Sequence, residues 1–177
     1  MAGRKTIARV GVLGAGAWGT ALACAARRAG LEVMLWGRDA SVLNAIAHSG
    51  KNPTYLPGIA LIDGIGVTGD PADLKRSDLF LSVVPAQATA DLLAQFSTHV
   101  SPETPIVLCA KGLDRKTGQP LSRALSTLFP DNPLAVLSGP SFASDVAAAK
   151  PTAVTLAAHD LSLAMDISQA LSGPSFR

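Results

Sequence analysis

Short runs of nearly unbroken apolar residues alternate along the chain with longer stretches in which apolar positions recur every three or four residues. The first kind predicts strands at "RVGVL" (Arg9–Leu13), "EVMLW" (Glu32–Trp36), "DLFLSVV" (Asp78–Val84), "PIVLCA" (Pro105–Ala110), "PLAVLS" (Pro133–Ser138) and "TAVTLAA" (Thr152–Ala158). The second kind predicts helices at "AWGTALACAARRAG", "DASVLNAIAHSG", "AQATADLLAQF", "QPLSRALSTLF" and "DLSLAMDISQAL". The first helix ends in Arg27 and Arg28 before Gly30, a usual stop signal. The second takes its N-cap from Asp39 or Ser41 and closes near Gly50. "DPADLKRS" places Asp70 before a proline at the first helical position. Strands alternating with helices imply parallel βαβ units with right-handed crossovers, a doubly wound α/β fold with a mostly parallel sheet.

Composition fits a sheet buried on both faces, since 48% of the 177 residues are hydrophobic and only 16% charged. The net charge is +2 and no basic stripe interleaved with aromatics occurs, so nucleic acid is not an expected partner. The pairs Arg27–Arg28, Lys75–Arg76 and Arg115–Lys116 read as solvated surface. Cys24 in "LACAA" and Cys109 in "IVLCA" read as small core residues of a reducing compartment, here the cytoplasm, and not as a disulfide. His48, His99 and His159 have no His or Cys partner at i+3 or i+4, so no metal site is expected. No apolar stretch of about 18 residues exists to form a transmembrane helix.

Arg4, Lys5 and Arg9 before an apolar run ending in "ALAC" resemble a secretory leader. That reading fails because cleavage there would remove the first strand, and an apolar leader core with three glycines and a tryptophan is poor. "SGPSF" occurs at Ser138–Phe142 and again at Ser172–Phe176, but the flanking sequences do not match, so the recurrence reads as coincidence.

The stretch after the first strand, "GAGAWG", is a G-x-G-x-x-G turn leading into a helix. In that setting Gly14 makes the tight turn, Gly16 admits a pyrophosphate to the backbone, and Gly19 lets the helix pack against the strand. The free N–H groups at the helix start, with its positive dipole end, hold the phosphates. The fold is thus Rossmann-type, and residues 1–177 read as one dinucleotide-binding domain, with linker residues at its end. Beyond the second strand a cofactor's 2′ substituent is read. Gly37 and Arg38 stand there without an acid; a guanidinium matches a 2′-phosphate, so NADP is favoured over NAD. Asp39 reads as the helix cap. "AKGLDRKTGQ" and "SGPSFASD" follow strands directly, at the sheet edge where such folds bind ligands. Lys111 there could polarise a carbonyl oxygen, and Ser141 could cap the next helix.

Taken in order, "GAGAWGTALA", "WGRD", "NPTYLPG", "VPAQ", "CAKGLD" and "SGPSFASDVA" resemble the bacterial NAD(P)-dependent glycerol-3-phosphate dehydrogenases from Arg9 to Arg177. The resemblance implies reversible hydride transfer between NAD(P)H and dihydroxyacetone phosphate, giving sn-glycerol 3-phosphate for phospholipid synthesis. It implies that Gly14, Gly16, Ala17, Trp18, Gly19, Arg38 and Tyr55 line the cofactor site. Lys111 would touch cofactor and substrate, Gly139 and Ser141 the substrate, and Ala143 the nicotinamide end. It further implies a C-terminal all-helical domain supplying the general acid/base lysine beyond Arg177, and a homodimer when full length. Another β-hydroxyacid- or ketopantoate-type NADP reductase shares the turn and the two-domain plan. A nucleotide-sensing module shares the turn but has no use for "AKGL" and "GPSFA".

Overall fold

The computed structural model describes residues 6–177, so Arg4 and Lys5 of the leader reading lie outside the described residues. The apolar run that followed them forms β1 (Arg9–Leu13) and α1 (Ala17–Arg28). Both sit at the centre of the fold. The chain continues through β2 (Glu32–Trp36), α2 (Ala40–Ser49), β3 (Ile65–Thr68), a 3-10 turn (Pro71–Leu74), β4 (Leu79–Ser82), α3 (Ala86–Phe96) and β5 (Ile106–Leu108). It closes with α4 (Leu121–Leu125), β6 (Leu134–Ser138), α5 (Ala143–Ala147), β7 (Thr155–Ala158) and α6 (Leu161–Leu171).

The sheet order is β3-β2-β1-β4-β5-β6-β7, parallel through β6. This is a doubly wound Rossmann-type sheet, and its order reverses between β1 and β4. Alternate strand residues feed two cores. Val10, Val12, Leu79, Leu81 and Val107 pack under α1, α2, α5 and α6, while Leu13, Phe80, Ile106 and Leu108 pack under α3 and α4. Cys24 and Cys109 are free and buried within the first of these.

β7 runs antiparallel to β6, pairing Thr155 with Ser138. The physical reason is the length of α5. Five helical residues rise about 7 Å, less than half of the roughly 16 Å that a five-residue strand covers. The chain therefore never returns to the bottom of the sheet, and β7 starts where β6 ended. β3 is a strand the apolar pattern did not predict, because "IGVT" carries a glycine and lies half-buried at the sheet edge. α4 is shorter than its pattern, since Pro120 fixes its start and the chain after Leu125 tightens into a turn, the Leu128 N–H donating to the Leu125 carbonyl. The two "SGPSF" copies differ in environment, Phe142 being 74% exposed and Phe176 5%.

Candidate functional site

The reversal of strand order opens a crevice above β1 and β4, and the glycine turn lies in it. Gly14 adopts φ +116° and passes so close to β4 that a Cβ there would fall 2.6 Å from the Val83 carbonyl oxygen. A Cβ on Gly19 would meet the Gly14 carbonyl oxygen at 1.8 Å, so the helix is packed onto the turn itself. Gly16 is the opposite case: a Cβ there would meet nothing within 4 Å. It faces open space at the mouth of α1. Gly16 is also the N-cap, makes no side-chain cap, and α1 has no acid in its first turn. The leading N–H groups are therefore left to an external anion. These residues fit a pyrophosphate.

The neighbouring groups are tied to this turn. Gly14 N–H donates to the Trp36 carbonyl at 2.9 Å, linking the turn to the end of β2, two residues before exposed Arg38. An acid at position 37 has no room, because a Cβ on Gly37 would lie 2.8 Å from Ala15 Cβ and 3.2 Å from Leu43 Cδ2. Asp39 caps α2 through Ser41 and Val42, and the Ser41 hydroxyl and N–H hold its carboxyl below the ordinary range. Trp18 is half-buried against the core at the start of α1.

Tyr55 is 48% exposed and belongs to the loop after α2. Its N–H donates to Asn52 Oδ1 at 3.2 Å, and the Asn52 amide reaches the glycine turn, donating to the Ala15 carbonyl at 3.1 Å and to Thr20 Oγ1 at 2.9 Å. Asn52 is fully buried.

At the far side of the crevice, the loops after β5 and β6 meet. Lys111 Nζ donates to the Gly139 carbonyl at 3.0 Å. The Lys111 loop is shaped by Asp114, whose carboxylate accepts from the Thr117 hydroxyl and N–H and is held below its ordinary range by them. Gln87, at the start of α3, clamps the same loop by donating to the Leu113 carbonyl and accepting from the Arg115 N–H. Just upstream, burial pushes the Cys109 thiol up to about 12, which leaves it an inert core group. Lys111, Ala110, Leu121 and Ser138 border a depression of about 320 Å³. A wider groove of about 660 Å³ is lined by Ile7, Asp78, Pro105 and Pro133, at the opposite edge of the sheet, where doubly wound folds do not bind ligands.

Two readings of the sequence need correction. Ser141 does not cap α5: the N-cap is Phe142, and no side chain bonds there. Arg27 and Arg28 are not simply solvated. Arg27 bonds the Asp63 and Leu31 carbonyls, and the Arg28 guanidinium bonds the carbonyls of Val146 and Ala147 at the end of α5. Gly139 is packed tightly, a Cβ there lying 3.1 Å from Val154 Cα. Ala143 begins α5, half-buried against the core. Asn52 and Gln87 were not singled out from the sequence, and the partners of Arg28 were not foreseen. Asn52 and Gln87 lie inside "NPTYLPG" and "VPAQ", and that placement was their only signal.

Residues 9–164 match the family described as NAD-dependent glycerol-3-phosphate dehydrogenase N-terminus. The chain belongs to this family. It is 47% identical over 169 residues to a glycerol-3-phosphate dehydrogenase [NAD(P)+] of Chelativorans sp., covering 95% of this chain and 52% of that protein. It superposes on the crystal structure of glycerol-3-phosphate dehydrogenase from Coxiella burnetii with a TM-score of 0.88 at 33% identity, over 97% of this chain and 53% of that one. The Saccharomyces cerevisiae glycerol-3-phosphate dehydrogenase gives 0.84 at 25%, over 98% and 56%. The chain thus spans about half the length of the curated relatives it matches. Among the described residues, no helix is long and apolar enough to cross a membrane.

Proposed function

We propose that these residues form the cofactor-holding part of a NAD(P)-dependent glycerol-3-phosphate dehydrogenase that interconverts dihydroxyacetone phosphate and sn-glycerol 3-phosphate. The observation that carries the reading is the open, uncapped mouth of α1 at Gly16, placed at the β1/β4 reversal. When bound, the nicotinamide supplies or accepts the hydride. Gly16, Ala17 and Trp18 hold the pyrophosphate through backbone N–H groups. Arg38 reads the 2′-phosphate, which favours NADPH, and the crowding at Gly37 keeps a competing acid out. Tyr55 and Ala143 complete the cofactor's surroundings.

Lys111 donates toward the substrate's C2 oxygen as charge builds there, with one of its donors spent on Gly139 and two left over. Gly139 and Ser141 contact the substrate. The full-length enzyme works in the cytoplasm as a homodimer, with small molecules and not nucleic acid as its partners. The proton-transfer lysine belongs to a C-terminal half like that of the relatives. The test is a titration of this chain with NADPH, followed by dihydroxyacetone phosphate. Saturable binding without oxidation is the expected result. No binding at millimolar NADPH overturns the reading.

A further inference from the structure

The side chain of Asn52 uses both of its amide hydrogens and its oxygen within the protein, although it stands in a loop outside any helix or strand. One hydrogen goes to the Ala15 carbonyl, the other to Thr20 Oγ1, and the oxygen takes the Tyr55 N–H. Ala15 and Gly16 share a peptide plane. In a trans peptide the C=O of one residue and the N–H of the next point in opposite directions, and among the described residues no peptide bond is cis. A carbonyl of Ala15 drawn inward to Asn52 therefore sends the Gly16 N–H the other way, out of the interior. Rotated by half a turn, the same peptide would show an approaching anion an oxygen instead of a proton.

Thr20 does not suffice for this alone, since its hydroxyl lies 3.4 Å from the Ala15 oxygen, against 3.1 Å for the Asn52 amide. The sequence around Asn52 suits the task as well. Pro53 follows it, and the residue before a proline is biased toward extended backbone; the Leu56 N–H then closes the turn on the Asn52 carbonyl at 2.8 Å. The loop is thereby held with Asn52 and Leu56 buried, the Asn52 amide against the glycine turn, and Tyr55 exposed.

We infer that Asn52 is a positioning residue for the cofactor: it fixes the Ala15–Gly16 peptide with its N–H toward the pyrophosphate and ties the Tyr55 loop to that same turn. This rests on the reading of Gly16 as the pyrophosphate site. Asn52 does not itself touch the cofactor, which separates its role from that of the turn residues. The amide hydrogens, and not the shape of the side chain, carry the effect. Asn52→Asp keeps the shape and the acceptor for Tyr55 but sets an oxygen against the Ala15 carbonyl.

The test compares wild type, Asn52→Ala and Asn52→Asp by calorimetric titration with three ligands: NADPH, 2′-phospho-ADP-ribose, and adenosine 2′-monophosphate, which lacks the pyrophosphate. Far-UV circular dichroism monitors folding throughout. Both variants should lose about tenfold or more in affinity for the two pyrophosphate ligands and less than about threefold for adenosine 2′-monophosphate. Wild-type NADPH affinity in Asn52→Asp overturns the inference, as does an equal loss for all three ligands, which would mark a merely structural residue. Failure of both variants to fold overturns it in the same way. Wild type failing to bind NADPH overturns instead the reading of the turn on which the inference stands, so the two failures are distinguishable.

Discussion

Nζ of Lys111 and the carbonyl oxygen of Gly139 are 3.0 Å apart, so one hydrogen bond joins the loop after β5 to the loop after β6. The contact follows from the sheet. β5 and β6 pair in parallel, with Leu108 beside Val136, and deliver both loops to the same edge. It holds the ammonium near the backbone of "GPSF", whose Pro140 has no N–H to offer an oxyanion. In the proposed function, the lysine is the donor that this peptide lacks.

Replacing Lys111 with alanine should lower kcat/KM for dihydroxyacetone phosphate by about 10²–10³-fold in an active enzyme carrying these residues, the range for removing one donor to a developing oxyanion. Steady-state kinetics checks this. A loss confined to KM would mean that Lys111 binds ground state and transition state equally.

Arg38→Ala should weaken NADPH by about 1.5–3 kcal/mol, the worth of hydrogen bonds to a charged group, and leave NADH nearly unchanged. Parallel fluorescence titrations of the two cofactors decide it. Equal losses would remove Arg38 from the 2′-phosphate. Because a Cβ at position 37 collides with Ala15, Gly37→Asp should fail to create a preference for NADH and should destabilise the fold instead.

Much of this site was legible from sequence because its parts are local. The glycine turn, the Asp39 cap and the apolar strands are each encoded within a dozen neighbouring residues. Arg28 and Asn52 are different. Arg28 meets backbone carbonyls 118 and 119 residues away, and Asn52 meets Ala15 at a separation of 37. A carbonyl acceptor exists at every position, so residue identity at the far end gives no signal. β3 escaped for another reason: a half-buried edge strand needs little apolar character, and the glycine in "IGVT" weakens what there is.

The Asp39 cap makes a pH prediction whose sign is fixed. Its carboxyl is held below the unfolded value by the Ser41 hydroxyl and N–H. A depressed folded pKa contributes stability that is present above the unfolded pKa and is lost as pH falls through the folded one. The difference in Tm between wild type and Asp39→Ala should therefore be constant from about pH 7 to 5 and shrink below about pH 4, near the unfolded carboxylate value. A difference that grew toward acid would contradict the cap.

Arg28→Ala should destabilise the domain by about 1–3 kcal/mol, because it strands the Ala147 carbonyl at the end of α5 and leaves that of Val146 only its bond from the Ala149 N–H. Arg28→Lys should recover little of that, since one ammonium lacks the planar fork that reaches both oxygens. Urea denaturation measures both variants. Full recovery by lysine would mean that charge near the helix end, and not the bonds, is what matters.

The two glycines that flank the mouth of α1 should respond to substitution in opposite ways. At Gly16 an added Cβ meets nothing, and the backbone there is extended at φ −73°, which any residue adopts. Gly16→Val should therefore fold as wild type does, yet place a branched side chain where the pyrophosphate must approach, and so abolish NADPH binding. At Gly19 the first added carbon lands 1.8 Å from the Gly14 carbonyl oxygen, a backbone atom that cannot swing aside. Gly19→Ala must push α1 away from the turn, and should lower stability well beyond the roughly 1 kcal/mol typical of point substitutions. Circular dichroism melts and NADPH titrations on both variants separate the two effects. Gly16→Val binding NADPH at wild-type affinity would show that the anion does not enter in front of Gly16. A fully stable Gly19→Ala would show that the helix is not seated on the turn.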